Sequence, residues 1–157
     1  LPEHHWYRWP TSRSRLVSNG CHWIDHFLYL NRWSRPVDWS VWRGPAGQSQ
    51  VALELTNGAH FTMTLSDRGS DRLGVRELVE VCHGGRTARI VDQEYVAEDA
   101  HRVLRRARIE EAQIYRATYG AICEAVLSGA PGDPIESVEV PWRLILQMER
   151  ALREQAP

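Results

Sequence analysis

A chain of 157 residues is long enough to bury a core of its own, so size gives no reason to invoke disulfides or a structural metal. Its 19 basic residues face 20 acidic ones, a net charge of −1, which excludes the basic excess that captures phosphate backbones and with it a nucleic-acid partner. All 19 basic residues are arginine, which excludes a lysine acid, base or Schiff base in this chain.

The three cysteines, Cys21, Cys82 and Cys123, are odd in number and widely spaced, which argues against a disulfide framework or a Cys-rich zinc site and fits a reducing compartment. No apolar run has the length of a membrane span, and no charged start followed by an apolar stretch marks a signal peptide, so a cytoplasmic protein without a membrane partner is expected. The first residue is Leu1, so a processed chain or a piece of a longer protein is expected.

Residues 1–19 are rich in Trp, His, Arg and Ser without a clear period and read as an extended lead-in. After Gly20 the run CHWIDHFLYLN places Ile24, Phe27, Leu28 and Leu30 at roughly helical spacing, predicting a helix with His22 near its start. Strands follow. In VDWSVWR, Val37, Trp39 and Val41 alternate with Asp38, Ser40 and Trp42, so the two tryptophans should occupy opposite faces. QVALEL and AHFTMTL flank Thr56-Asn57-Gly58, a hairpin signal because Asn and Gly tolerate positive φ; Val51, Leu53 and Leu55 should share one face. A second hairpin should join ELVEVCH to RTARIV through Gly84-Gly85.

From about Glu98 the period changes, and Leu104, Ala107, Glu111, Ile114, Thr118, Ile122 and Val126 form the seam of one long helix closed by Gly129. Pro131, Gly132 and Pro134 make a loop, and Ser137 is a candidate cap for a last helix with Trp142, Ile145, Met148 and Leu152 inward, Pro141 lying close to its first turn. The order predicts a single domain over residues 1–157, α+β in class, an open-faced and mainly antiparallel sheet with helices on one face.

Chemistry concentrates in Asn19-Gly-Cys-His-Trp-Ile-Asp-His26. His22, Asp25 and His26 stand at i, i+3 and i+4 and share overlapping faces of a helix, a spacing open to a metal site. One neutral imidazole at the end of a rigid element also suffices as an acid/base group, with Asp25 one turn away to orient it or bind a hydroxyl. A polar helix start with neither role has the same pattern, and periodicity does not choose among the three.

With these residues in order, NGCHWIDHFLYL, the strand block, LTNGAHFTMTLSDRG, ELVEVCHGGRTARIVD and two last helices joined by LSGAPGDPIES, the chain from about Ser12 to Glu154 resembles the C-terminal domain of the Gfo/Idh/MocA oxidoreductases. These are the relatives of glucose-fructose oxidoreductase and inositol dehydrogenase. The best motif is Gly-x-His-x-Ile-Asp, here Gly20, His22, Ile24 and Asp25. The resemblance implies a substrate-binding and dimerisation domain of an enzyme acting on a sugar, nucleotide-sugar or polyol hydroxyl. NAD or NADP would be held by an N-terminal Rossmann domain that is not in this chain, and the open sheet face would join subunits. It implies His22 as the acid/base residue and Asp25 as an orienting or hydroxyl-binding one.

Relatives carry an acidic residue four or three positions before the histidine; here Ser18 and Asn19 stand there, able to hydrogen-bond a sugar without placing a negative charge beside the imidazole. No Gly-x-Gly-x-x-Gly and no lysine occur, so the isolated chain is expected not to transfer hydride. Arg13 and Arg15, forked donors just upstream, are candidate ligands for a phosphate or carboxylate of the substrate. His4, His5 and Trp6 could line a sugar pocket. His60 is read as an exposed strand residue or a substrate contact, and Arg102, Arg105, Arg106 and Arg108 as a salt-bridged helix surface near Glu110 and Glu111. Two other readings stand beside the oxidoreductase: a non-catalytic binding or dimerisation module of the same fold, and a small metal-dependent enzyme using His22, Asp25 and His26.

Overall fold

A computed structural model describes residues 9, 14–44, 48–66, 68–69, 72, 76–133 and 135–155. They fall into two compact units, Leu1–Arg72 with Asp133–Pro157, and Leu73–Gly132. The class is α+β, with three α-helices and two antiparallel sheets among the described residues, as the order of periods predicts. Among the described residues no helix is long and apolar enough to cross a membrane.

The first unit holds α1 (Cys21–Leu30), strands β1 (Pro36–Arg43), β2 (Ser49–Leu55) and β3 (His60–Leu65) in the order β1-β2-β3, and the last helix, α3 (Ile135–Glu154). The register sets Trp39 opposite Leu53, Val41 opposite Val51, and Phe61 and Met63 opposite Leu53 and Val51. Because side chains alternate along a strand, this gathers one apolar face and leaves Ser40, Trp42, Gln50, Glu54, His60 and Thr62 on the other. The apolar face packs with Leu16, Ile24 and Leu28 from α1 and the segment before it, and with Leu144, Ile145, Met148 and Leu152 of α3. The predicted alternation of the tryptophans holds: Trp39 lies against this core, and Trp42 is half exposed on the opposite face. At roughly 1.5–3 kcal/mol for each large apolar side chain taken fully out of water, α1 and its lead turn are anchored chiefly by Leu16, Ile24 and Leu28.

Both glycine hairpins form, by different turns. Gly58 N donates to Leu55 O at 2.9 Å and Leu55 N to Ala59 O at 3.0 Å, with Gly58 at φ +78°, which is a type I turn closed by a left-handed glycine. Gly84 and Gly85 both have positive φ, between paired His83 and Arg86, and make the two-residue turn whose twist matches that of the strands.

The second unit departs most from the sequence expectation. Its sheet runs β4 (Leu78–His83), β5 (Arg86–Val91), β6 (Glu94–Asp99) and β7 (Val103–Arg108) in sequential antiparallel order. Leu104 and Ala107 therefore belong to a strand; the helix, α2, spans Glu111–Ser128. The missed turn is Asp92-Gln93, where both residues sit at positive φ without any glycine to announce it, and Arg76 Nε donates to Asp92 Oδ1 at 2.9 Å. The arginines of the supposed helix surface thus lie on and beside an edge strand, and Arg106 pairs across the sheet with Glu94 at 3.4 Å. α2 ends where predicted, Gly129 taking φ +66° as its left-handed cap, but the helix buries none of its residues.

Ser137 is not the cap of α3. That helix begins at Ile135, two residues earlier, and Pro141 lies in its interior, where a proline ring leaves one carbonyl of the ladder without its usual donor.

Candidate active site at the start of helix α1

The histidine-bearing helix begins unusually. Arg15 is helical, Leu16–Gly20 form a turn of π-helix, and α1 continues from Cys21 without a break. Ser14 opens this segment: its hydroxyl accepts from Val17 N at 3.3 Å and its carbonyl from Ser18 N at 3.0 Å. π turns are rare and concentrate at functional sites.

Gly20 is fully packed at the junction. A Cβ there would stand 3.0 Å from Leu65 Cδ1 and from Met63 Cε and 3.1 Å from Leu16 Cδ1, so the glycine of the motif is what lets the helix start lie against β3. Gly20→Val is expected to cost about 1–3 kcal/mol by overpacking. Gly20→Ala should cost less, since the gain of about 1 kcal/mol in helix propensity opposes the crowding. Urea midpoints of the two variants read the difference.

The geometry sorts the candidates cleanly. Ile24 and Leu28 point into the core, and His22, Asp25 and His26, on the other side of the helix, are exposed. His22 and Asp25 stand one turn apart on the solvent side at the helix start, as the spacing predicts. Ser18, Asn19 and Arg15 are half-buried in the preceding segment, and Asn19 and Arg15 each have an interaction partner. Arg13, His4, His5 and Trp6 lie outside the described residues. His26 turns its ring to Trp23, edge to face with centroids 6.4 Å apart. Among the described residues no group of three or more His, Cys, Asp and Glu side chains is placed to hold a metal ion. His60 is exposed on the polar sheet face opposite Glu54.

Among the described residues, surface concavities lie elsewhere, one between β1 and α3 lined by Val37, Trp39, Val140 and Leu144, another at the Gly84-Gly85 turn. Neither includes His22 or Asp25.

Cys21 faces inward beside this site, and burial pushes its thiol above the ordinary 9.0, against hydrogen bonds from the His22 and Cys21 backbone that pull it down; the charge of Asp25 adds to the rise. Below the unfolded-state value both states are protonated and the thiol leaves stability unchanged with pH. Above it the unfolded chain loses the proton first, so stability falls as pH rises through the folded value. Under reducing conditions the urea midpoint of the wild-type chain should drop more between about pH 8 and pH 10 than that of Cys21→Ala, and Cys21 should react with thiol reagents last, after the exposed Cys82 and Cys123.

One functional group escaped the sequence reading. Glu149 is buried in α3, at 6% exposure, between Met148 and the Leu152 turn. Its carboxylate accepts from the Ser14 hydroxyl and from Arg153 Nε at 3.1 Å. The signal was present: Ile145, Met148, Glu149 and Leu152 repeat at i, i+3, i+4 and i+7, so a carboxylate stands in the apolar stripe of α3 and needs a partner.

Fold and site together define an α+β domain with a one-sided antiparallel sheet, two helices on its apolar face, and a solvent-facing imidazole and carboxylate at a helix start. No protein-family model matches the sequence, and no match to a curated protein was found. Among solved structures the chain is similar to UDP-N-acetylglucosamine 3-dehydrogenase GnnA from Acidithiobacillus ferrooxidans, with a TM-score of 0.72 and 16% sequence identity over 92% of this chain and 49% of that one. The chain thus spans about half the length of that dehydrogenase, and at this identity the likeness is one of fold.

Proposed function

We propose that this chain is the substrate-binding and dimerisation half of an NAD(P)-dependent oxidoreductase of the Gfo/Idh/MocA kind, acting on a hydroxyl of a sugar, nucleotide sugar or polyol. The observation that carries the reading is the exposed His22–Asp25 pair at the start of α1, in a fold shared with half of a nucleotide-sugar dehydrogenase. In this reading His22 takes the proton from the substrate hydroxyl, or returns it, and Asp25 orients the imidazole or binds a neighbouring hydroxyl. Ser18 and Asn19 offer neutral hydrogen bonds to the sugar, and Arg15 with Arg13 a forked grip on a phosphate or carboxylate.

The residues of this chain do not themselves fit a dinucleotide. Both sheets are antiparallel, so among the described residues no parallel βαβ unit presents a glycine turn and helix N-terminus to a pyrophosphate. The nicotinamide is therefore assigned to a separate Rossmann half.

Self-association is part of the proposal. Val79, Val81, Ile90, Tyr95, Ala97 and Ala107 share one face of the β4–β7 sheet by register, and none of them is buried. An apolar sheet face in water is a surface that a second copy of the chain can cover. The experiment that tests the function is nicotinamide-linked turnover by the complete enzyme, with His22 present and replaced. Full turnover without His22 overturns the assignment.

A further inference from the structure

A buried polar contact in the first unit lies away from His22, at the other end of the helical segment that carries it. Among the described residues Glu149 is the buried charged side chain, and it is held from two sides, by the Ser14 hydroxyl and by Arg153 Nε at 3.1 Å. Ser14 in turn caps the segment through Val17 N and Ser18 N. Downstream, Gly20 is wedged against Met63 and Leu65, and Ile24 and Leu28 are fully buried. The chain is thus fixed at Ser14, by the fully buried Leu16 side chain, and again from Gly20 onward. Between those fixed points Leu16–Gly20 adopt the wider π turn, which carries one residue more per hydrogen-bonded ring than the α form. Releasing the upstream point lets the turn relax toward α geometry, which would rotate Ser18 and Asn19 relative to His22.

We infer that Glu149 and Ser14 are positioning residues: their hydrogen bond pins the π turn and thereby sets the orientation of Ser18 and Asn19 relative to His22. The functional meaning of the pin rests on the acid/base assignment of His22, whereas the pin itself is a statement about structure and is read without any activity.

The experiment is amide hydrogen exchange and ¹H–¹⁵N shift mapping of this chain, with Ser14→Ala, Glu149→Leu and Glu149→Gln compared with wild type. In Ser14→Ala and Glu149→Leu, protection of the Val17–Cys21 amides is expected to fall about tenfold or more, the scale of a hydrogen bond to a charged group. Amides of Ile145 and Met148 should fall less than about threefold, and the His22 ring signals should move. Glu149→Gln keeps an oxygen for the Ser14 hydroxyl and should leave the turn close to wild type. Should Glu149→Leu fail to fold, Ser14→Ala decides on the Asn19–Cys21 amides, because the Ser14 hydroxyl also accepts directly from Val17 N. Unchanged protection across 17–21, an equal loss throughout the core, or a Gln variant as perturbed as Leu overturns the inference. Full turnover of His22→Ala would instead remove the catalytic reading and leave the pin standing.

Discussion

On the proposed function, replacing His22 with alanine in the complete enzyme is expected to lower turnover by about two powers of ten or more, the usual contribution of a positioned acid/base group, with nicotinamide binding nearly unchanged. The expectation follows from where the residue stands. Its side chain is exposed, so the substitution removes no packing, and the core contacts of α1 come from Ile24 and Leu28 on the opposite side. A loss of turnover therefore reports chemistry and not unfolding, and an unchanged urea midpoint verifies this on the same sample. His22→Gln adds a second arm, because it retains a hydrogen bond to the substrate oxygen without a proton that can be exchanged near neutral pH. Binding with little turnover in that variant supports a proton-transfer role; turnover close to wild type counts against it.

Ile24→Ala should have the largest effect on stability, about 2–5 kcal/mol in urea unfolding, because it empties a fully buried site where α1 meets the sheet and α3. Ile24→Val should cost only about 0.5–1.5 kcal/mol, since one methylene is lost. The slope of the unfolding transition should be unchanged in both, as the fold that exposes surface on unfolding is the same. A cost below about 1 kcal/mol for the alanine variant would mean that the helix start is not held by this side chain, and the fixed position claimed for His22 two residues earlier would go with it.

The elements that periodicity made legible are those with one wet and one dry face. Val51, Leu53 and Leu55 alternate strictly and are buried; Ile24 and Leu28 keep helical spacing and are buried; Ile145, Met148 and Leu152 do the same on α3. Periodicity misleads in the second unit, where the spacing predicts a helix over residues 103–108, which form β7. There the apolar Leu104 and Ala107 are three apart by coincidence, three arginines obscure the strand alternation, and the turn before β6 uses Asp92-Gln93, with Gln93 at a positive φ that its residue type does not advertise.

The candidate site was legible for the same reason. His22 and Asp25 could be assigned to the solvent side of α1 once Ile24 and Leu28 were assigned to the core, because a helix offers only one angle for each residue. Glu149 was visible only as an anomaly in an apolar stripe, and Ser14 not at all. The two are 135 residues apart, and a bond between them exists only after α3 has packed beside the start of α1.

By itself the sequence determined which faces are apolar, where glycine permits a turn or a close approach, and that a histidine and an aspartate share one side of a helix start. Each of these depends on spacing over fewer than about eight residues, where backbone geometry leaves few options. Tertiary structure alone decided that the helix begins with a π turn, that Glu149 reaches Ser14, that the last helix starts before Ser137, and that β7 is a strand. Those outcomes depend on which distant surfaces exclude water together, and local propensity is too weak to override that burial.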